Sequence, residues 1–397
     1  MVLDQNEKNK SWLPVITLAI AAFIFNTTEF LPVGLLVDIA ASFNMQVAHA
    51  GQIMTVYAWA VTLFALPFAM LFARLERRVL LIYVFLVFII SHVFAAFSWS
   101  FFSLLLARLG IAASHAVFWA ITIPIAIRLA PSGKSAKALS LVVTGSSLAM
   151  VLGVPIGTVI GQHFGWRFSF GIIALSATFT LILLVYLLPR LPSYLSGSFS
   201  TLPSLLKRPT LIYVYITLAL MISAYFTTYT FISPFLQQVG KISSFWTVIS
   251  LFIIGISGIL GGILFAKKSK QYPALLLILP ILILLFCAFT LHLASHHIFS
   301  TLIISLLWGT AITILAMTLQ SKVLETAHDA PDIAMAMFSG VYNIGIGSGA
   351  LFGGQIILNF GLLYLGYLSS IFIIFALILY FSIGQHLWNK SGSDFSI

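Results

Sequence analysis

Charged side chains are scarce in this 397-residue sequence, since Asp, Glu, Lys and Arg together make up only 7% of it. Soluble domains carry about 25%, so the composition excludes a single soluble globular fold. The sequence has one cysteine, Cys287, which excludes a disulfide framework. It has no HExxH pattern, and PSGKS at 131–135 lacks the upstream glycine of a phosphate-binding loop, because Arg128 stands there. We therefore predict no enzyme activity, no cofactor and no bound metal.

Acidic residues are outnumbered by basic ones, and the formal net charge is +10. In a soluble protein this excess would suggest a nucleic-acid partner. Here the basic residues stand at the ends of apolar segments rather than in one patch. Membrane topology explains such a distribution better, and no nucleic-acid partner is predicted.

Hydrophobic side chains are abundant, at 61% of the sequence. A helix that spans a bilayer needs about 20 mostly apolar residues, and twelve segments meet that requirement. We predict an all-α membrane protein with 12 transmembrane helices. The first of them carries Glu29 and is expected to remain a helix rather than to be cleaved as a signal peptide. The predicted spans are residues 13–36, 51–73, 79–99, 102–128, 138–161, 167–189, 210–236, 245–266, 274–295, 299–320, 333–358 and 363–386.

Sixteen of the 19 Lys and Arg residues fall on one side of the membrane if both termini are placed in the cytoplasm. The positive-inside rule therefore supports this orientation. The three exceptions are Arg108, Arg167 and Lys241. Arg108 lies well inside a predicted span, the fourth, whereas Arg167 is the first residue of the sixth.

The stretch 190–209 is the longest polar segment between spans and divides the chain nearly in half. We therefore predict a six-helix bundle over 1–189, a cytoplasmic linker over 190–209 and a second six-helix bundle over 210–397. The segments NTTEFLP at 26–32 and TYTFISP at 228–234 are weakly similar and lie at corresponding places in the two halves. This outline is typical of a transporter whose two bundles rock against each other.

Glu29 and Arg108 are the clear charges inside predicted spans, and each needs a reason because membrane burial of charge is costly. Both lie roughly 9 to 10 Å from the outer surface, at 1.5 Å per helical residue, so they are expected to meet. Two interpretations stay open. The pair is either a static link between two helices or a titratable carboxylate with its partner, which would couple transport to protons.

Polar and aromatic residues in the spans suggest a site for an uncharged polar solute. Arg108, His115 and Trp119 form one stripe of the fourth span, where imidazole suits a hydroxyl and indole suits a sugar's apolar face. In the eleventh span, Ser339 and Asn343 are one turn apart. A packing role stays open for His115 and for Asn343. The further candidates for substrate binding are Asn26, Tyr57, Tyr229 and Gln320.

Several motifs resemble those of known transporters. GVPIG at 153–157 resembles the motif of drug/proton antiporters in the major facilitator superfamily, and we expect Gly153, Pro155 and Gly157 to allow close packing and a bend. Similarity to the bacterial sugar efflux transporters runs through both halves of the chain. It is carried by AAFIFNTTEFLPVGLL at 21–36, YAW at 57–59, ERR at 76–78, ASHAVFWAIT at 113–122 and MAMFSGVYNIGIGSGAL at 335–351.

This resemblance implies the major facilitator fold and proton antiport. One departure concerns the loop between the second and third spans, where the family's aspartate is missing and Glu76 stands ahead of Arg77 and Arg78. Glu76 either substitutes for the aspartate that clasps the inward-closed state, or the clasp is weaker. Arg77 and Arg78 are candidates for a conformational role, with a plain topology signal as the alternative.

The sequence thus predicts a monomeric exporter of sugars or sugar-like glycosides in a bacterial inner membrane, exchanging them for protons. The alternative is a multidrug/proton antiporter for apolar drugs, which would depend on Tyr57, Trp119 and Tyr229. A channel is disfavoured by the unequal polar content of the halves and by the buried carboxylate. A membrane sensor would need a soluble signalling domain, for which the chain leaves no room.

Overall fold

Helices dominate the computed structural model, which describes residues 11–72, 74–131, 134–192 and 202–388. Within these residues, twelve helices are long and apolar enough to cross a membrane, as the sequence predicts. The spans are α1 Leu13–Ser42, α2 Val47–Ala65, α3 Arg77–Ala96, α4 Phe101–Leu129, α5 Lys137–Phe164, α6 Trp166–Leu187, α7 Pro209–Tyr229, α8 Ser244–Lys268, α9 Leu275–Ser295, α10 Ile298–Thr326, α11 Ile333–Phe360 and α12 Leu362–Trp388. Part of the predicted linker, residues 193–201, and residues 132–133 of PSGKS lie outside the described ranges.

Prolines explain where the observed helices depart from the predicted spans. The seventh span was expected to run to residue 236, but α7 ends at Tyr229. A short helix, Ile232–Pro234, and a π-helical turn, Phe235–Val239, follow it. Pro234 has no N–H to donate to the carbonyl oxygen of Thr230, so one helical hydrogen bond is missing where this irregular segment lies.

A π-helical turn also interrupts α5. Regular helix runs over Ser135–Leu148 and again over Val154–Phe164, with the wider turn Ala149–Gly153 between them. The turn is closed by the N–H of Val154, which donates to the carbonyl of Ala149. Pro155 follows directly and cannot donate, so the expected irregularity of GVPIG takes the form of a π turn.

The chain divides into two compact units. The first contains Met1–Asn44 and Ala60–Leu195, and the second contains Met45–Trp59 and Ser196–Ile397. The first part of α2 is therefore grouped with the second unit, whereas the predicted boundary at 190–209 assigns it to the first bundle. The prediction counted spans along the chain, while these units follow spatial contacts.

The same packing scheme occurs within each unit, six spans apart. In the first unit α1 packs against α5 and α6, and α3 packs against α4 and α6. In the second unit α7 packs against α11 and α12, and α9 packs against α10 and α12. These corresponding helices therefore have corresponding neighbours, as in an internal repeat. The second helix of each unit is the exception, because α8 packs against α10 while no α2–α4 contact of similar extent occurs among the described residues.

Glycines bring the paired helices into contact in each unit. In the first unit a methyl group at Gly153 would collide with the Thr27 side chain, and one at Gly157 with Leu31, both on α1. In the second unit a methyl group at Gly349 would lie 2.5 Å from the carbonyl oxygen of Ser223 on α7. Small residues thus permit the close approach of α5 to α1 and of α11 to α7.

Candidate functional site

A buried charge cluster lies in the first unit, between α1 and α4. Arg108 is completely buried, and Glu29 and His115 are 6% and 4% exposed. Among the acidic residues whose burial the structure describes, Glu29 is the buried one. Nε2 of His115 lies 3.7 Å from Oε2 of Glu29, so the two side chains that the sequence assigned to different roles are neighbours.

Arg108 is held by the main chain of α1. Its Nη1 donates to the carbonyl oxygen of Thr28 at 2.8 Å, and its Nη2 donates to that of Glu29 at 3.3 Å. The sequence predicted a meeting of the two side chains. The structure does bring Arg108 to the Glu29 turn of α1, but these two hydrogen bonds go to backbone oxygens, while the carboxylate lies 3.7 Å from the His115 imidazole.

Pro32 explains why a backbone oxygen accepts this bond. In a regular helix the carbonyl of residue 28 accepts from the N–H of residue 32. Pro32 lies inside α1 and has no N–H, so the oxygen of Thr28 lacks its usual partner. A buried carbonyl without a partner is costly, and the guanidinium of Arg108 satisfies it. Because Pro32 stands four residues after Thr28 in TTEFLP, the carbonyl oxygen of Thr28 can accept the hydrogen bond from Arg108.

His92 of α3 joins the cluster, although it was not among the residues predicted from the sequence. Its Nδ1 lies 2.8 Å from the carbonyl oxygen of Phe88, and its Nε2 lies 2.7 Å from Oγ1 of Thr28. Because the carbonyl only accepts, we assign the proton to Nδ1, and Nε2 then accepts from the Thr28 hydroxyl. The sequence feature that could have identified it is a histidine within the otherwise apolar third span.

Aromatic rings surround the charged groups and keep them away from water. Phe25 is stacked between Phe88 and Phe118, with ring centroids 3.9 and 4.0 Å away. The Trp119 ring centroid lies 6.2 Å from that of His115, and the Trp119 side chain is half-buried. In such a setting charges interact much more strongly than in water. Protonation of one group therefore affects its neighbours.

The second unit places a neutral polar group in a comparable setting. Asn343 of α11 is 8% exposed, and its Nδ2 donates to the carbonyl oxygen of Ser339 at 3.1 Å. Its side-chain oxygen has no hydrogen-bond partner within the described part of the chain. An amide carbonyl in that state is an acceptor for a ligand hydroxyl.

Aromatic residues also cluster in the second unit. Tyr229 is stacked on Tyr225 with ring centroids 5.0 Å apart, and Trp308 meets Tyr225 edge-on at 5.7 Å. Trp308 was not selected from the sequence, because one tryptophan in an apolar span carries no distinguishing signal. Two predicted residues differ from this buried set, since the side chains of Ser339 and Gln320 are exposed.

The other predicted residues have structural contacts. Asn26 donates to Oγ of Ser146 at 2.6 Å and so links α1 to α5. Tyr57 is completely buried, in the part of α2 that groups with the second unit. Arg78 donates to the carbonyl oxygen of Val185 at 2.6 Å. The backbone N–H of Arg77 donates to the carbonyl of Leu191 at 2.9 Å.

Glu76 caps the first turn of α3. Its carboxylate accepts from the backbone N–H groups of Arg78 and Val79, each at 3.0 Å, and from that of Leu191 at 2.5 Å. Partial burial raises its pKa, but these three hydrogen bonds and the charge of Arg78 outweigh that effect, so the pKa lies below its usual value. Glu76 thus joins the loop before α3 to the segment after α6.

Comparison with protein families identifies the fold. The family model described as Major Facilitator Superfamily matches residues 18–333. The chain belongs to the major facilitator superfamily. It is therefore a multi-pass membrane transporter of the secondary active type and not an enzyme.

Solved structures of similar fold agree with this assignment. A bacterial homologue of the human lysosomal transporter Spinster, inward-facing and unoccupied, matches with a TM-score of 0.77 and 18% identity over 96% of this chain and 98% of that one. Its occupied form matches at 0.72 and 17% over 96% and 97%. A POT family transporter in complex with 5-aminolevulinic acid matches at 0.70 and 15% over 92% and 95%. At these identities the likeness concerns the fold of the transporter alone.

Proposed function

We propose that this transporter exports sugars or sugar-like glycosides across a bacterial inner membrane in exchange for protons. The observation that carries the proposal is the buried contact between the Glu29 carboxylate and the His115 imidazole, 3.7 Å apart. Ionisable residues buried inside membrane helices are costly and usually functional. The concentration of basic residues at predicted cytoplasmic helix ends supports the orientation.

At the Glu29–His115 contact, a proton and the substrate can compete for the same hydrogen-bonding groups. In the tautomer that carries its proton on Nδ1, His115 has a lone pair on Nε2. When Glu29 is protonated it becomes a donor, and a small rotation brings it to that lone pair. When Glu29 is ionised, it and Nε2 both accept hydrogen bonds from sugar hydroxyls. Occupation by a proton therefore opposes occupation by substrate, which is the requirement for antiport.

Neutral polar and aromatic groups support the proposed substrate class. Asn343 has a side-chain oxygen without a partner within the described residues, and a sugar hydroxyl is a suitable donor. Trp119 lies beside His115 and offers an apolar ring face to the C–H surface of a sugar. A neutral solute rich in hydroxyl groups suits both units better than an anion or a cation.

Counterflow in proteoliposomes tests the proposal. Proteoliposomes that contain the purified protein are loaded with an unlabelled sugar or glycoside. Uptake of the labelled compound is then measured with and without a pH gradient. We expect Glu29→Gln to abolish the response to the gradient while exchange at equal pH persists, because only the titratable group is lost. Asp38→Asn is the matched control, since Asp38 is a half-buried carboxylate on the same helix.

The panel of substrates decides between sugars and drugs. Saturable counterflow of sugars or glycosides supports the proposal, whereas counterflow of apolar drugs alone replaces it with multidrug antiport. A gradient response in Glu29→Gln equal to that of the wild type would remove Glu29 from proton coupling.

A further inference from the structure

A cavity of about 250 Å³ lies at one end of the second unit, where α8 and α10 end and α9 begins. This volume is far above the roughly 10–15 Å³ that one water requires. It is just below the size at which pockets for drug-sized ligands begin, about 300 Å³. The walls include Ser269, Ser321, Lys322, Glu325 and Trp388. None of these residues belongs to the site described above.

Lys322 gives the cavity a buried positive charge. The residue is 5% exposed, and its Nζ lies 5.1 Å from the centroid of the Trp388 ring. The same Nζ lies 3.2 Å from both Oε1 of Glu325 and the carbonyl oxygen of Trp388. From the sequence, this lysine counted only as a basic residue at a cytoplasmic helix end. A topology signal does not need a buried ammonium, which loses hydration and must be compensated. An ammonium also has three protons, and these two acceptors account for two of them.

Glu325 places a negative charge at the same cavity. Its side chain is 42% exposed, while that of Lys322 is 6% exposed, so the cation lies deeper than the anion. A single anion would be attracted by Lys322 and repelled by Glu325. A zwitterion matches both, with its acidic group toward Lys322 and its ammonium toward Glu325. The order of the two charges, from buried to exposed, then sets the orientation of the ligand.

We propose that this cavity binds a phosphate ester of a primary amine, the headgroup chemistry of phosphatidylethanolamine, with the phosphate on Lys322 and the amine on Glu325. The site lies at the ends of membrane helices, where lipid headgroups are found. Soluble phosphoethanolamine has the same two groups, so the experiment separates the two sources. The inference rests on the membrane fold and not on the proposed transport of sugars.

The first measurement uses the full-length protein, purified in detergent and depleted of lipid. Its melting temperature and its affinity are determined with short-chain phosphatidylethanolamine, phosphatidylcholine, phosphatidylglycerol or soluble phosphoethanolamine. We expect phosphatidylethanolamine to raise the melting temperature and to bind about tenfold more tightly than the other two lipids, which lack an N–H donor to Glu325. Binding of soluble phosphoethanolamine without binding of the lipid would assign the site to a soluble ligand of the same chemistry.

Variants then locate the binding. We expect Lys322→Gln and Glu325→Gln each to weaken binding about tenfold, while Lys322→Arg retains it. Lys270→Gln is the control, because Lys270 is exposed and outside the cavity wall. Equal binding of all three lipids, or unchanged selectivity in Glu325→Gln, would overturn the proposal. If Lys322→Gln does not fold, the lipid panel and Glu325→Gln still decide it.

Discussion

The two units share most of their helix packing but enclose cores of different charge. In the first unit Glu29 and Arg108 are both buried, next to His92 and His115. In the second unit, among the described residues, the buried polar groups are hydroxyls and the amide of Asn343, and the buried charge is Lys322 near the end of α10. The comparison indicates that the packing scheme is independent of the chemistry inside it. Buried ionisable groups are therefore concentrated in the first unit, whereas the buried polar groups described in the second are neutral apart from Lys322.

The largest effect is expected from a substitution that removes a charge from the core of the first unit. Arg108→Ala removes two donors from backbone oxygens on α1 and leaves Glu29 without a nearby positive charge. We expect a loss of about 3–5 kcal/mol in the free energy of unfolding, as for other buried charges that lose a partner. Thermal or denaturant unfolding in detergent measures it, with the exposed Arg190→Ala as control.

A double variant distinguishes the main-chain role of Arg108 from a simple charge pair. Arg108→Ala combined with Glu29→Gln removes both charges but still leaves the carbonyl oxygen of Thr28 without a donor. We therefore expect only partial recovery of stability. Complete recovery would mean that compensation of the Glu29 charge is the whole contribution of Arg108.

The shared packing scheme is tested by one glycine in each unit. A methyl group at Gly145 would collide with the carbonyl oxygen of Ala19 on α1, and one at Gly349 with that of Ser223 on α7. We expect Gly145→Ala and Gly349→Ala each to destabilise by about 1–3 kcal/mol, because backbone must move. Gly171→Ala is the control, since a methyl group there meets nothing within 4 Å. A large effect in one unit alone would contradict the equivalence of the two contacts.

One proposed substrate-binding residue from each unit tests the difference in chemistry. We expect His115→Ala and Asn343→Ala each to weaken substrate binding by about 1–3 kcal/mol, the usual cost of an unpaired buried polar group. Only His115→Ala should also alter the pH dependence, because its partner is Glu29. Affinity is measured in proteoliposomes at several pH values, with the exposed Asn359→Ala as control. An altered pH profile in Asn343→Ala would place proton coupling in both units.

The smallest expected effect concerns the Glu76 cap. Glu76→Gln is expected to cost about 0.5–2 kcal/mol, the range for loss of a helix cap. The folded pKa lies below the usual 4.5, so the contribution is complete above 4.5 and disappears as the pH falls through the folded value. The difference in melting temperature between wild type and variant should shrink accordingly. Glu76→Asp separates the two roles, since a shorter carboxylate keeps the cap but does not reach Leu191.

The sequence was sufficient for the helices and for part of the cluster in the first unit. Twelve spans follow from hydropathy, and the fold is confirmed. The depth of Glu29 and Arg108 predicted their proximity, but helical spacing places residues on faces and does not say which atoms bond. The acceptor for Arg108 depends on the missing N–H of Pro32, which is readable from the sequence only after α4 is known to pack there.

Other features could not be predicted, because they depend on contacts between residues that are far apart in the sequence. His92 is one polar residue in an apolar span, and its contact with Thr28 is 64 residues away in the chain. Lys322 was counted as a basic residue at a helix end, whereas its burial depends on Trp388 of α12. The π turn in α5 was anticipated only as a bend near Pro155, since a proline in the sequence indicates a missing hydrogen bond but not the form that the backbone then takes.

The missing N–H of Pro32 also has a consequence for how such carriers diverge. Because Arg108 donates to backbone oxygens of α1, these two hydrogen bonds do not depend on which side chain occupies position 29. A glutamate codon becomes a glutamine codon by one nucleotide change. Under the proposed role of Glu29, a proton-driven exporter and an uncoupled facilitator that both keep this link between α1 and α4 differ by a single mutation.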